Sequence, residues 1–182
     1  QFMLDTTLND ANRYPLKLND LIVLTGCSSW DEAPAKIQWA SGVDQISAIS
    51  SDIPNVGLKG DYFTTPLYMS DEFAPWEGSV MSIDPSGRGE DRTGYAVLKM
   101  LHGMLYLTAI GGLEGGYSDD TLEELSRIAK KQDVNYVVIE SNFGDGMATQ
   151  SLKPIMSRIH PCEIEEVRHN IQKAVSYTHL TL

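Results

Sequence analysis

Two short apolar runs constrain this chain more than any other feature. Val80-Met81-Ser82-Ile83 ends on Asp84 and is broken at once by Pro85, Ser86 and Gly87; Asn135-Tyr136-Val137-Val138-Ile139 ends on Glu140 and gives way to Ser141-Asn142-Phe143-Gly144-Asp145-Gly146. Each run is short, carries β-branched residues and is followed at once by turn formers, so each reads as a strand that stops where its acid is presented. Glu140 follows Asp84 by 56 residues, enough chain for further strands and a helix between them.

The intervening sequence supplies those elements. After a polar loop from Pro85 to Arg92, Gly94 to Leu101 is apolar and strand-like, His102-Gly103 is a turn pair, and Met104 to Ile110 returns as the second arm of a hairpin. Gly111-Gly112-Leu113-Glu114-Gly115-Gly116 reads as a break. Ser118-Asp119-Asp120 caps a helix whose apolar positions Leu122, Leu125, Ile128 and Ala129 recur at three and four, with Lys130-Lys131 at the end that favours cations. The run at 135–140 is apolar enough to be central and buried on both faces. A second helix is expected from about Gly146 to Arg158 despite Pro154, and Glu163 to Val167 alternates as a strand with one wet face. Strand, strand, strand, helix, strand, helix, strand is the order of a mixed α/β sheet of the ribonuclease H-like kind.

In that order the first and fourth strands are parallel neighbours. Their ends bring Asp84 and Glu140 to one edge of the sheet, where open α/β folds place ligands. Two carboxylates held close repel, and a hard divalent cation such as Mg²⁺ or Mn²⁺ removes that cost. Such sites hold two ions roughly 4 Å apart, one activating water and the other steadying the leaving oxygen of a phosphodiester. Asp84 before Pro-Ser-Gly could equally be a turn former, whereas Glu140 is a poor turn residue and costly to leave unpaired at the end of a buried strand. Arg88 and Arg92 on the following loop are placed to grip a DNA phosphate, with pairing to Glu90 or Asp91 as the alternative. Asp145 is either an outer metal ligand or a helix cap.

Composition narrows the classes. With 182 residues and 42% apolar content the chain can bury a core, while 14 basic against 25 acidic side chains give a net charge of −11, against a broad basic surface. Residues 1–83 carry 4 basic and 11 acidic side chains and residues 84–182 carry 10 and 14, so a local basic track is possible only in the second half. Cys27 and Cys162 have no metal-like spacing and read as buried thiols in a reducing compartment. No apolar run spans a membrane, and no basic-then-apolar leader stands at the N-terminus. Gly87-Arg88-Gly89 lacks the third glycine of a dinucleotide fingerprint, Arg92 standing in its place. No phosphate loop, Cys-x-x-Cys, His-Glu-x-x-His or Gly-x-Ser-x-Gly occurs. His102 reads as a turn residue, and His160 and His169 stand alone.

Before residue 79 periodicity is weak. Gln1 to Arg13 has the spacing of a helix end, Leu21 to Leu24 reads as extended, Gly26 to Pro34 as loop, and Lys36 to Ala40 as an edge strand. Ser41 to Gly78 is a connector whose Tyr62, Phe63, Tyr68, Phe73 and Trp76 read as anchors onto a neighbouring domain, with base stacking as the alternative. Gln1 at the start, and an end at Leu182 without a stop signal, read as a fragment.

Three stretches carry a family resemblance. VMSIDPSGRGED with TGYAVLK, GGYSDDTLEELSRIAKK, and VNYVVIESNFGDGM resemble the nuclease region of the large terminase subunit of short-tailed phages, also called DNA maturase B. QFMLDTTLNDANRYPLKLNDLIV and DIPNVGLKGDYF resemble the segment joining that family's ATPase and nuclease domains. The resemblance covers residues 1 to about 173. It implies residues 1–78 as the end of an ATPase domain and linker and 79–173 as a ribonuclease H-like nuclease domain; residues 174–182 lie beyond it and, resembling translated adapter sequence, read as a non-native tail.

By this resemblance the parent protein is a two-metal-ion endodeoxyribonuclease that cuts concatemeric viral DNA within an ATP-driven packaging motor. Asp84 and Glu140 match the family's first two metal-binding carboxylates. A further Asp and the ATP site have no counterpart in these residues, so this piece is expected to cut DNA weakly or not at all. The implied partners are double-stranded phage DNA, the portal protein, the small terminase subunit and further copies in a ring, in the host cytoplasm and transiently on the procapsid. The alternatives are another ribonuclease H-like nuclease, such as a resolvase or transposase, and a non-catalytic scaffold with vestigial acids.

Overall fold

The computed structural model describes residues 21–25, 31–39, 62–86, 91–141 and 146–168. The chain divides into two compact units, Gln1–Ser28 with Pro34–Phe73 and Ile171–Leu182, and Ser29–Ala33 with Ala74–Asn170. Along the chain the strands β1 (Glu32–Pro34), β2 (Ile37–Gln38), β3 (Tyr68–Met69) and β4 (Phe73–Pro75) are short; β2 pairs antiparallel with β3, and β1 pairs with β4. β1 falls inside the stretch expected to be loop. Its three residues have no usable period, and only the partner strand makes them a strand. Leu21 to Leu24 contributes a single bridge, Ile22 to Thr64, reinforced by the Val23 amide donating to the Thr64 carbonyl at 2.8 Å. The helix end expected at Gln1 to Arg13 lies outside the described residues.

The second unit is a five-stranded mixed sheet with two helices. β5 (Gly78–Asp84), β6 (Thr93–Leu101) and β7 (Met104–Leu113) form an antiparallel meander; α1 (Asp119–Lys131), β8 (Tyr136–Glu140), α2 (Met147–Ile159) and β9 (Glu163–Val167) follow. The spatial order is β7-β6-β5-β8-β9, with β8 parallel to both β5 and β9. His102 and Gly103 both have positive φ, 50° and 77°, as a two-residue turn matched to the twist of a hairpin requires. β7 runs through Gly111 and Gly112 instead of breaking there. A Cβ at Gly111 would lie 2.6 Å from the Tyr95 hydroxyl, and one at Gly112 would lie 3.2 Å from Arg92 Cβ. These glycines make room for neighbouring side chains and do not end the strand.

Period decides which face is buried. Met81 and Ile83 of β5, Val97 of β6, and Val137 and Ile139 of β8 face Leu122, Leu125 and Ala129 of α1 and Leu152 and Met156 of α2 in one core. Ser118 caps α1, its side chain accepting from the Thr121 amide. Pro154 sits inside α2 without ending it. The other sheet face has no described helix on it. There Leu105 and Ile110 are 69% and 70% exposed, and Val138 is only half-buried, so β8 is buried on one face and not on both.

Away from the β5 C-terminus, the base of the sheet is polar and closed. The Ser79 hydroxyl donates to the Asp133 carbonyl at 2.6 Å, and the Asn135 amide donates to Ser79 Oγ at 2.9 Å. Lys99 is buried beneath Trp76, its Nζ 5.5 Å from the ring, and Trp76 meets Tyr106 edge-on at 5.0 Å. Trp76 packs within its own unit, while Tyr68 and Phe73 remain 52% and 42% exposed. Cys162 is a half-buried free thiol at the core margin, and burial pushes its pKa up.

Candidate metal centre

The β5–β8 register sets the site. Ile83 pairs with Ile139, so Asp84 and Glu140 are the next residues on two adjacent parallel strands, about 4.8 Å apart. Ile83 and Ile139 point into the core; the alternation of a strand therefore sends both acids to the face without described helices. Asp84 is exposed and Glu140 half-buried.

Hydroxyls tie down the chain on either side of the pair. After Asp84, the Ser86 amide donates to Thr93 Oγ1 at 3.1 Å, and Thr93 Oγ1 donates to the Gly116 carbonyl at 2.9 Å; both side chains are buried. After Glu140, the Ser141 amide donates to the Val167 carbonyl at 3.0 Å, and Arg168 Nε donates to Ser141 Oγ at 3.3 Å. Both acids thus leave strands whose exits are hydrogen-bonded to a neighbour. Sequence reading passed over Ser86, Thr93, Ser141 and Arg168. The three hydroxyls look like ordinary turn residues, and only their partners on other elements reveal the role.

Arg92 lies on the same face as Asp84. Its Nη2 is 2.9 Å from Glu114 Oε1, one residue past β7, and its side chain is 64% exposed. Its stem lies against Gly112, which has no side chain to lift it. Arg88 and Asp145 lie outside the described residues, as does His169. Among the described residues no group of three or more His, Cys, Asp or Glu side chains is assembled for a metal. His102 is the hairpin turn residue, and His160 closes α2 with Nε2 2.8 Å from the Val134 carbonyl.

A parallel-strand carboxylate pair on an open sheet face is a general device and by itself names no family. The family described as Terminase Bacteriophage T7, Ribonuclease H-like domain matches residues 83–176. The chain belongs to this terminase family. It is 43% identical over 169 residues, 92% of its length, to "Terminase, large subunit" of Enterobacteria phage T3, and it spans 28% of that relative's length. Among solved structures, the nuclease domain of the large terminase subunit gp2 of bacterial virus Sf6 is similar at 15% identity and a TM-score of 0.42, over 51% of this chain and 38% of that one. A mutant of that domain with manganese and beta-thujaplicinol gives 18% identity and a TM-score of 0.38, over 52% and 38%. The family's ribonuclease H-like fold agrees with the strand order observed, and the terminase reading stands above resolvase, transposase or scaffold. No described helix is long and apolar enough to cross a membrane.

Proposed function

We propose that this terminase domain is a metal-dependent endonuclease that cuts concatemeric double-stranded viral DNA, within a large subunit that also drives packaging with ATP. The observation that supports this most is the juxtaposition of Asp84 and Glu140 at the ends of adjacent parallel strands, on the open face. Two carboxylates offer hard oxygen donors and no competing nitrogen or sulfur, a donor set suited to Mg²⁺ or Mn²⁺. Cations bound there supply an activated water and charge stabilisation at the leaving oxygen.

The chain's own residues do the positioning. The bonded exits of β5 and β8 hold the two carboxylates in register, and Arg92, steadied by Glu114, grips a phosphate of the bound strand. Asp145 and Arg88 stay candidates by sequence position, as outer ligand and second phosphate contact. A third carboxylate would come from outside the described residues, Asp145 being a candidate within this chain. The portal protein, the small terminase subunit and further copies in a ring are the proposed partners, in the host cytoplasm and on the procapsid.

Nicking of supercoiled plasmid in Mn²⁺ by the whole polypeptide tests this reading. Cleavage abolished by Asp84→Asn and by Glu140→Gln is expected; cleavage unaffected by either would overturn it.

A further inference from the structure

We infer that Glu166 of β9 is a positioning residue for Glu140, fastening Ser141 and the start of α2 so that the carboxylate at the end of β8 keeps its aim. The inference rests on the nuclease reading and deepens it. In the β8–β9 register Glu166 is opposite Ile139 and Val167 is opposite Glu140. Partners in register share a face, so Glu166 stands on the helix side with the core residue Ile139, and Glu140 on the other side. Glu166 therefore does not join the carboxylate pair; it acts from behind it.

Its contacts reach both neighbouring segments. Ser141 follows Glu140 directly; its amide donates to the Val167 carbonyl at 3.0 Å, and its Oγ accepts from Arg168 Nε at 3.3 Å. Arg168 Nη2 lies 3.6 Å from Glu166 Oε1, so the guanidinium bridges Glu166 and Ser141. The Ser141 hydroxyl beside Glu166, more than the Arg168 guanidinium, holds its carboxyl below the usual range. On the other side the carboxylate lies against Gly146, where a Cβ would stand 2.9 Å from Oε2 and 3.3 Å from Oε1.

The helix explains why an acid stands there. The N-cap of α2 is Gly146, which makes no side-chain cap bond, and its first turn holds no acidic residue, so nothing in α2 offsets the positive end of its own dipole. α1 meets the same need locally, with Ser118, Asp119 and Asp120. Glu166 supplies the missing anion from the neighbouring strand, and the same carboxylate holds the residue after Glu140. Turning Glu140 away from the site then means breaking the Ser141 contacts to β9. Groups that orient a metal ligand without touching the metal contribute roughly 10–100-fold to affinity or activity.

The experiment uses the whole polypeptide with Glu166→Ala and Glu166→Gln, measuring thermal unfolding and plasmid nicking over a range of DNA and Mn²⁺ concentrations. Glu166→Ala should lower kcat about tenfold or more and raise the Mn²⁺ concentration for half-maximal nicking, with KM for DNA unchanged. Glu166→Gln keeps an acceptor oxygen and should recover part or all of the loss. Wild-type kcat and Mn²⁺ dependence in Glu166→Ala, whatever its Tm, would make the residue structural only and overturn the assignment; equal losses in the two variants would also overturn it. If Glu166→Ala does not fold, Ser141→Ala decides: a lowered kcat supports the assignment and a wild-type kcat overturns it. If the unsubstituted protein and Asp84→Asn nick alike, it is the nuclease reading that falls.

Discussion

Asp84 stands one residue beyond Ile83 on β5, and Glu140 one residue beyond Ile139 on β8, so the two acids close neighbouring parallel strands side by side. The buried isoleucine pair below them fixes the register, and a slip of one residue in either strand would turn its acid into the core. Asp84→Asn and Glu140→Gln keep shape and remove charge. Each is expected to lower nicking by about a hundredfold or more and to weaken Mn²⁺ binding, without lowering Tm, as plasmid assays and calorimetry would show.

Arg92 and Glu114 form an ion pair at 2.9 Å with 64% and 77% of their side chains exposed. An exposed pair of this kind contributes little to stability. Arg92→Ala should therefore leave Tm within error while weakening DNA binding to a similar extent for every sequence. The slope of log affinity against log salt should fall by about 1, as for one lost phosphate contact. An unchanged slope would show that Arg92 does not reach the DNA.

Lys99 is a buried cation at the base of the sheet. Burial lowers its pKa from 10.5, and Asp133 and Asp31 oppose that shift. Because the folded form releases its proton more readily than the unfolded chain, the cost is full at neutral pH. It is relieved as pH rises from the folded pKa towards 10.5. Lys99→Met is expected to leave Tm unchanged or raised near neutral pH, with any advantage shrinking on titration into that window.

Tyr136 titrates in the opposite sense. Its hydroxyl donates to Glu165 on β9, which raises its pKa from 10.0 to about 12. The folded form keeps its proton longer than the unfolded chain, so this stabilisation is fully present below 10.0 and is lost as pH climbs towards about 12. Ultraviolet titration should show one late tyrosine, absent in Tyr136→Phe.

Gly146 opens α2 at φ 80°, and a Cβ there would stand 2.9 Å from Glu166 Oε2. Gly146→Ala should cost about 1–3 kcal/mol by chemical denaturation. Pairing it with Glu166→Ala should recover part of that loss, the double-mutant cycle reporting the steric share.

Features whose cause is local were legible in the sequence. The His102-Gly103 turn needs positive φ, the Ser118 cap needs a short hydroxyl before an acidic first turn, and α1 needs apolar spacing of three and four; each signal lies within a few residues. Misreadings arose where the cause sits on another element. Gly111 and Gly112 looked like breakers because their reason is Tyr95 and Arg92 across the strand pair. Glu32–Pro34 looked like loop because its partner β4 is about 40 residues away. Val138 looked doubly buried, since an apolar run does not say whether anything covers its second face.

By itself the sequence determined that two short strands end on Asp84 and Glu140, that three antiparallel strands begin the sheet, and that the acids belong at one edge of it. Each follows from side-chain period and turn chemistry, which are properties of neighbouring residues along the chain. Only the tertiary structure decided that Gly94 lies beside Asp84, that Arg92 leans over Gly112 to Glu114, and that Ser86 and Ser141 secure the exits of the two strands. Those are contacts between strands, and register, unlike period, is set by how the whole sheet packs.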